Sequence, residues 1–177
     1  LDDRFFAHME EIDLCWRLQL EGKSIFVVPQ SVVWHLGGGT LPNDSPWKLK
    51  LNYRNNLLML QNNLAKTYSL QEVRELTPEK AAVKACGRAR GTLFIRMCLD
   101  GCSALAYLLT GKKDCFKAVW EAHKEFRSLC TKTDVKEIQE YADTHRRIDV
   151  PALFPEWIVP LAMLRGNGIF DYLRKLI

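Results

Sequence analysis

The stretch SIFVVPQSVVWH, residues 24–35, decides which fold the sequence predicts. It contains two short apolar runs, rich in β-branched residues and separated by Pro29, which is typical of strands buried on both faces. Helical spacing of apolar residues predicts one helix before these runs, over residues 8–21, and another after them, over residues 46 to about 65. Residues 1–67 are therefore predicted to be mixed α/β.

The remainder of the chain is predicted to be helical. A capping-box pattern at residues 69–72 indicates the start of a new helix. The most apolar stretch, residues 92–110, carries Arg96 and Asp100, which are four positions apart and able to pair. A helix with this interior is predicted to lie in a core or on a membrane surface rather than to span a bilayer. Residues 68–177 are therefore predicted to form a helical extension.

Composition narrows the class of protein. With 25 Lys+Arg against 21 Asp+Glu, the net charge of +4 is too small and too evenly spread to indicate a nucleic-acid binder. The hydrophobic content of 47% excludes disorder. Six cysteines without a CxxC motif favour a reduced, cytoplasmic chain, in which Cys98 and Cys102 pack in the core, with a metal pair as the alternative. The chain begins at Leu1 with no leader, so we expect a segment of a longer protein.

Three carboxylates cluster at the start of the first predicted helix. Glu10, Asp13 and Arg17 share one face, and Asp13 with Arg17 is spaced for an ion pair. Glu11 projects instead over a mostly apolar face, where a carboxylate is a better general base. The spacing leaves two interpretations open, a catalytic base or a solvated first turn that the helix dipole stabilises.

Two further side chains are candidates for a site. His35 ends the second apolar run, directly before Gly37–Gly39, and is either a metal ligand or a histidine that caps a strand. Arg54 lies within NYRNN, residues 52–56, on the following helix, and is either a ligand for phosphate or a surface arginine.

The order of these motifs resembles the family 2 glycosyltransferases, in particular the bacterial rhamnosyltransferase-like branch that builds cell-surface polysaccharides. The resemblance is carried by FFAHMEEIDLCWR at residues 5–17, Gly22, VVP at 27–29, VWH at 33–35 and GGGT at 37–40. It covers residues 1–65. The resemblance implies a GT-A fold, of which residues 1–67 would be the C-terminal, acceptor-side part.

The resemblance also implies an inverting transfer from a nucleotide-diphosphate sugar to a hydroxyl of a polysaccharide or a lipid-linked acceptor. Glu11, with Glu10 as its neighbour, matches the position that deprotonates the acceptor, although the family usually has Asp there. Asp13 and Arg17 match positions that brace the helix and line the acceptor side. His35 matches a histidine that helps hold Mn²⁺ or Mg²⁺, and Arg54 a basic position near the donor diphosphate.

The family's nucleotide-binding half, with its Asp-x-Asp motif, has no counterpart in this sequence, so the chain is expected to be inactive alone. Its helical extension, with Trp120 beside lysines, is expected to lie on an anionic inner-leaflet surface, to pack back on the catalytic part, or to form a homodimer contact. A competing interpretation is a non-catalytic helical interaction or scaffold module, which residues 68–177 favour because they contain no evident chemistry.

Overall fold

A computed structural model describes residues 1–34, 45–149 and 166–168 of the chain. Within them, α2 contacts each of the other four α-helices, and α3 also contacts α4 and α5. The described elements are α1 (Glu10–Leu20), α2 (Pro46–Glu72), α3 (Pro78–Leu109), α4 (Lys113–Leu129), α5 (Val135–Thr144) and a 3₁₀ turn at Gly166–Gly168.

Proline and glycine set several of the helix ends. Pro46 and Pro78 occupy the first turns of α2 and α3, where the missing N–H has no helical partner to lose. Gly22 and Gly111 follow the ends of α1 and α3 with φ of 70° and 75°, a left-handed conformation that suits glycine. The helix predicted over residues 8–21 is thereby confirmed, with its glycine stop.

The hydrophobic core lies between α2 and the elements packed around it. Leu57 and Leu58 of α2 pack with Phe5 and Phe126, and all four side chains are buried. Further along α2, Leu64 joins a second cluster with α3 and α5. The face that α3 turns toward this cluster is built from small residues, which allow a close approach between helices: Ala81, Ala82, Ala85, Cys86 and Ala89.

α2 is longer than predicted, and the capping-box prediction at residues 69–72 is wrong. The Ser69 hydroxyl donates to the carbonyl of Lys66 at 2.8 Å inside the same helix, instead of capping a new one. Burial of Leu70 and Val73 against α5 and α3 holds this last turn in the bundle. The predicted domain division at residue 67 therefore falls inside a continuous helix.

The α/β prediction is wrong for the part of the chain that the structure describes, which contains helices and no strand. Residues 23–34 run without regular structure, and Phe26, Val27 and Trp34 are 82%, 88% and 98% exposed. A strand needs a neighbour to accept and donate its backbone hydrogen bonds, and no described residue supplies one. The β-branched pattern therefore does not show whether these residues pair with another strand.

α3 is, within the described ranges, the helix long and apolar enough to cross a membrane by length and composition alone. Its two central charges do not face outward. Arg96 Nε donates to Asp100 Oδ1 at 2.8 Å, as the spacing predicts, and His123 Nε2 of α4 lies 3.1 Å from Asp100 Oδ2. Because Asp100 is only 2% exposed, this trio joins α3 to α4 through a buried carboxylate.

We expect Asp100→Ala to lower the free energy of unfolding by about 2 kcal/mol, because Arg96 and His123 lose their shared acceptor. The loss is smaller than for a fully buried pair, since Arg96 keeps access to water. Urea denaturation followed by circular dichroism measures it. Asp114→Ala, at an exposed position of α4, is the control and should change stability by less than about 0.5 kcal/mol. Equal effects of the two substitutions would contradict a structural role for the trio.

Candidate functional site

The backbone directly before α1 is held in an unusual conformation. Phe6, His8 and Met9 have φ of 63°, 71° and 73°, which non-glycine residues rarely adopt. Each such residue costs on the order of 1 kcal/mol or more, and it persists only where surrounding contacts hold it. The segment leads straight into Glu10 and Glu11, the first two residues of α1.

Asn55 of α2 supplies most of the contacts that hold this segment. Its side-chain Nδ2 lies 2.9, 2.6 and 2.8 Å from the carbonyl oxygens of Phe5, Ala7 and His8. An amide has two N–H groups, so one of these three hydrogen bonds is shared. Asn55 is fully buried, and its amide fixes the path of the chain into α1.

Arg54 extends the same set of contacts from α2. Its Nη2 donates to the carbonyls of Arg4 and Phe5 at 3.1 and 2.9 Å, and its Nη1 donates to Glu125 Oε2 at 3.0 Å. Its Nε donates to Asn55 Oδ1 at 2.9 Å. The guanidinium is thus buried and engaged within the protein. These contacts give Arg54 a structural role, and its assignment to the donor diphosphate stays a prediction.

Glu125 of α4 receives two cations from α2. Lys50 Nζ lies 2.6 Å from Oε1 of Glu125, and Arg54 lies 3.0 Å from Oε2. Burial opposes ionisation of this carboxyl, but the hydrogen bonds from Lys50 and Arg54 outweigh it and hold the pKa of Glu125 below its usual value. The carboxylate therefore connects α4 to the residues that hold the start of α1.

The two glutamates at the start of α1 differ in their surroundings. Glu11 is exposed, and the side of the helix below it is open to water, since Cys15 is exposed and Leu18 is 38% exposed. The apolar surroundings predicted for Glu11 are thus absent among the described residues. Glu10 is half-buried, and its Oε2 is buried without a hydrogen-bond partner among the described residues, as is Nε2 of His8. A buried polar atom without a partner is uncommon and marks a place where a ligand or water can bind.

Asp13 joins α1 to α2 through a buried carboxylate. Its carboxylate is fully buried and accepts from Arg17 Nε at 2.8 Å, which confirms the predicted ion pair. It also accepts from Asn63 Nδ2 at 2.8 Å and Asn62 Nδ2 at 3.2 Å. Three donors from two helices thus satisfy a single buried carboxylate.

A cleft of about 270 Å³ opens beside Arg17, between α1, α2 and the segment that precedes α5. Four cationic side chains and two carboxylates line it: Arg4, Arg17, Lys66, Lys132, Asp2 and Glu137. Arg4 pairs with Asp2 at 2.5 Å, whereas Lys132 makes no ion pair within the described structure. The cleft therefore has a positive balance of charge. Glu11 is not among the residues that line it.

The metal prediction has no support from the described residues. His35 lies outside them, as does the Gly37–Gly39 loop. No group of three or more His, Cys, Asp or Glu side chains within residues 1–34, 45–149 and 166–168 is arranged to hold a metal ion. The assignment of His35 to Mn²⁺ or Mg²⁺ stays a prediction, and we derive no step through a metal.

Sequence reasoning missed the asparagines of α2, which do most to build the site. Asn55, Asn62 and Asn63 all interact with residues about 50 positions away, so no local spacing reveals their partners. One signal was present. Asparagine is a poor helix former, and its repeated placement in an apolar helix indicates buried hydrogen bonds.

No protein-family model, curated protein or solved structure matches this chain. The resemblance to the family 2 glycosyltransferases therefore rests on the motifs alone and stays a prediction. Function has to be argued from the geometry at the start of α1.

We expect Asn55→Ala to lower the free energy of unfolding by about 2 kcal/mol, since it removes the donors for three carbonyls. Amide hydrogen exchange should accelerate most over residues 5–9, because the left-handed backbone loses its support. Mass spectrometry of peptides from that region measures the exchange. Asn56→Ala is the matched control, because Asn56 Oδ1 is buried and has no hydrogen-bond partner in the part of the chain that the structure describes. Equal exchange in the two variants would contradict this role of Asn55.

The lowered pKa of Glu125 predicts a pH dependence of stability. A carboxyl whose pKa is lower in the folded protein stabilises the fold above its unfolded pKa, roughly 4.3. That contribution to the free energy of unfolding is lost as the pH falls toward the pKa of Glu125 in the folded protein. We therefore expect the wild type to be more stable than Glu125→Gln at neutral pH, with the difference shrinking below about pH 4. Urea titrations over this range test it, and a difference that grows on acidification would contradict the assignment.

Proposed function

We propose that this chain carries the acceptor-side residues of an inverting glycosyltransferase. The enzyme would move a sugar from a nucleotide-diphosphate donor to a hydroxyl of a cell-surface polysaccharide or a lipid-linked acceptor. One observation carries the proposal: a strained, tightly held segment presents two adjacent carboxylates at the start of α1. Glu11 is open to solvent, and Glu10 has a buried oxygen without a partner among the described residues. The motif over residues 5–17 supports it.

Glu11 is the proposed general base. As the acceptor oxygen attacks the anomeric carbon, its proton passes to a carboxylate oxygen of Glu11. The bond between the anomeric carbon and the diphosphate oxygen breaks, and its electron pair leaves with the diphosphate. Glu10 Oε2, which has no partner among the described residues, would accept a hydrogen bond from the acceptor or from a bound water. Catalysis of this kind depends on a base held in one position, which is the effect of the Arg54 and Asn55 contacts.

The cleft beside Arg17 is the proposed binding region for part of the acceptor. Arg17 and Lys132 would complement a polar or phosphate-bearing group, with Arg17 already oriented by Asp13. The donor side, including the proposed contribution of His35 to a divalent metal, would depend on a nucleotide-binding segment that these residues do not supply. Free cysteines throughout are compatible with a cytoplasmic location.

A non-catalytic helical interaction module is the alternative. It is favoured by the described part of residues 68–177, which forms helices with no cluster of metal-binding side chains. Under that proposal no activity of the protein depends on Glu11.

The test is donor turnover by the full polypeptide that contains this chain, purified with Mn²⁺. Nucleotide release is followed from UDP-, GDP- and dTDP-sugars with a lipid-linked acceptor present. We expect Glu11→Gln to lower kcat on the order of 10²- to 10⁴-fold, because the carboxamide cannot take the acceptor proton. Donor KM should change little, since Glu11 acts on the acceptor.

Glu75→Gln, at an exposed carboxylate in the turn after α2, is the matched control and should retain full activity. Unchanged turnover in Glu11→Gln would show that Glu11 is a solvated residue of the first turn. Absence of turnover with every donor and acceptor would favour the interaction module.

A further inference from the structure

The C-terminal half of α3 presents a continuous apolar face to the outside of the bundle. Its members recur every three or four residues, and each is exposed. We call it the α3 apolar face, and it consists of Gly91, Phe94, Ile95, Cys98, Leu99, Cys102, Leu105, Ala106 and Leu109. Phe94, Leu105 and Leu109 are 69%, 54% and 79% exposed. The face contains no charged side chain and extends about 27 Å along the helix axis.

The opposite side of this half of the helix is packed against the bundle and carries two charged side chains. Asp100 and Ala104 are buried there, and Arg96 and His123 hold the Asp100 carboxylate. In this half of α3 the two charges therefore lie on the packed side, together with Leu93 and Met97, whereas an ordinary surface helix turns its charges toward water. Cys98 and Cys102, predicted to pack in the core, are both exposed on the apolar face.

Basic residues lie at both ends of the α3 apolar face. Arg90 precedes it, and Lys112 and Lys113 follow it, all three exposed. None of the three makes an ion pair within the described structure. Asp114 is the one carboxylate that follows directly, so that end keeps a net positive charge.

We propose that the α3 apolar face docks in the plane of a lipid bilayer that carries anionic headgroups. Its leucines and Phe94 enter the boundary between headgroups and acyl chains, while Arg90, Lys112 and Lys113 contact lipid phosphates. The proposal stands independently of the proposed glycosyl transfer, because it rests on a different helix.

The positions of the charged residues favour docking in the plane of a bilayer over a spanning helix and over a second copy of the chain. A spanning arrangement would put the Arg96 and Asp100 side of α3 into hydrocarbon, but that side is packed against α2 and α4. A second copy of the chain, packed face to face in antiparallel orientation, would bring Arg90 of one copy toward Lys112 and Lys113 of the other. No carboxylate lies on the face to offset that repulsion, whereas anionic lipids offset it directly.

The test is flotation of the full chain with vesicles of phosphatidylcholine mixed with phosphatidylglycerol. We expect binding that weakens with added salt and with pure phosphatidylcholine. Leu99→Glu combined with Leu105→Glu should lower the partition coefficient by roughly tenfold or more, because each substitution withdraws a leucine from lipid and adds a negative charge. Both positions are exposed, so circular dichroism should report an unchanged fold.

The native cysteines give a second readout without substitution. Cys15, Cys98 and Cys102 are all exposed, but only the last two lie on the α3 apolar face. Vesicles should therefore protect Cys98 and Cys102 from a maleimide while leaving Cys15 reactive, as measured by mass spectrometry of each peptide.

Val27→Glu is the control, because Val27 is 88% exposed in the other apolar segment of the described chain. It should bind vesicles like the wild type. The proposal is overturned by absence of flotation, by flotation that the α3 variant leaves unchanged, or by loss of binding in Val27→Glu alone. Resistance to carbonate extraction would identify a spanning helix instead, and a dimer that Leu99→Glu dissociates would identify a second copy; either would also overturn it.

Discussion

The structure depends on a seam of hydrogen-bond donors along α2, formed by the buried side chains of Arg54, Asn55 and Asn63 and by the half-buried Asn62. A buried amide or guanidinium destabilises a fold unless each donor finds an acceptor. Here the acceptors include the carbonyls of Arg4, Phe5, Ala7 and His8 and the carboxylate of Asp13. If the N-terminal segment moved away from α2, the donors of this seam would lose these acceptors. The seam therefore determines where α1 begins and how it lies.

The seam also accounts for the left-handed backbone before α1. Strain at Phe6, His8 and Met9 amounts to a few kcal/mol, roughly the same as two or three net hydrogen bonds. Asn55 and Arg54 contribute five contacts to the carbonyls of that region, which is enough to hold it. With fewer of these contacts, Glu10 and Glu11 would move together with the segment that precedes α1. The proposed role of Glu11 as a general base depends on this rigidity.

How much of the fold and of the candidate site could be predicted from the sequence depended on how far apart the interacting residues lie along the chain. The helix over residues 8–21 and the pairs Asp13–Arg17 and Arg96–Asp100 depend on neighbours three or four positions apart, and the structure confirms them. The Asn55 contacts join residues nearly 50 positions apart and were missed. The strand prediction is wrong over residues 24–34 for a related reason, because a strand depends on a partner strand elsewhere in the chain.

Apolar periodicity has a further limit, which α3 illustrates. A repeating set of leucines reports that one side of a helix avoids water, but it does not say whether protein or lipid covers that side. The charges resolve the ambiguity, because a charge is far costlier to place wrongly than a leucine. In α3 the charged pair faces the bundle, where Asp100 also meets His123. If water covered the α3 apolar face, the Arg96–Asp100 pair would cost less free energy there than on the packed side, because it would stay hydrated. The observed placement therefore supports the proposal that lipid covers the α3 apolar face.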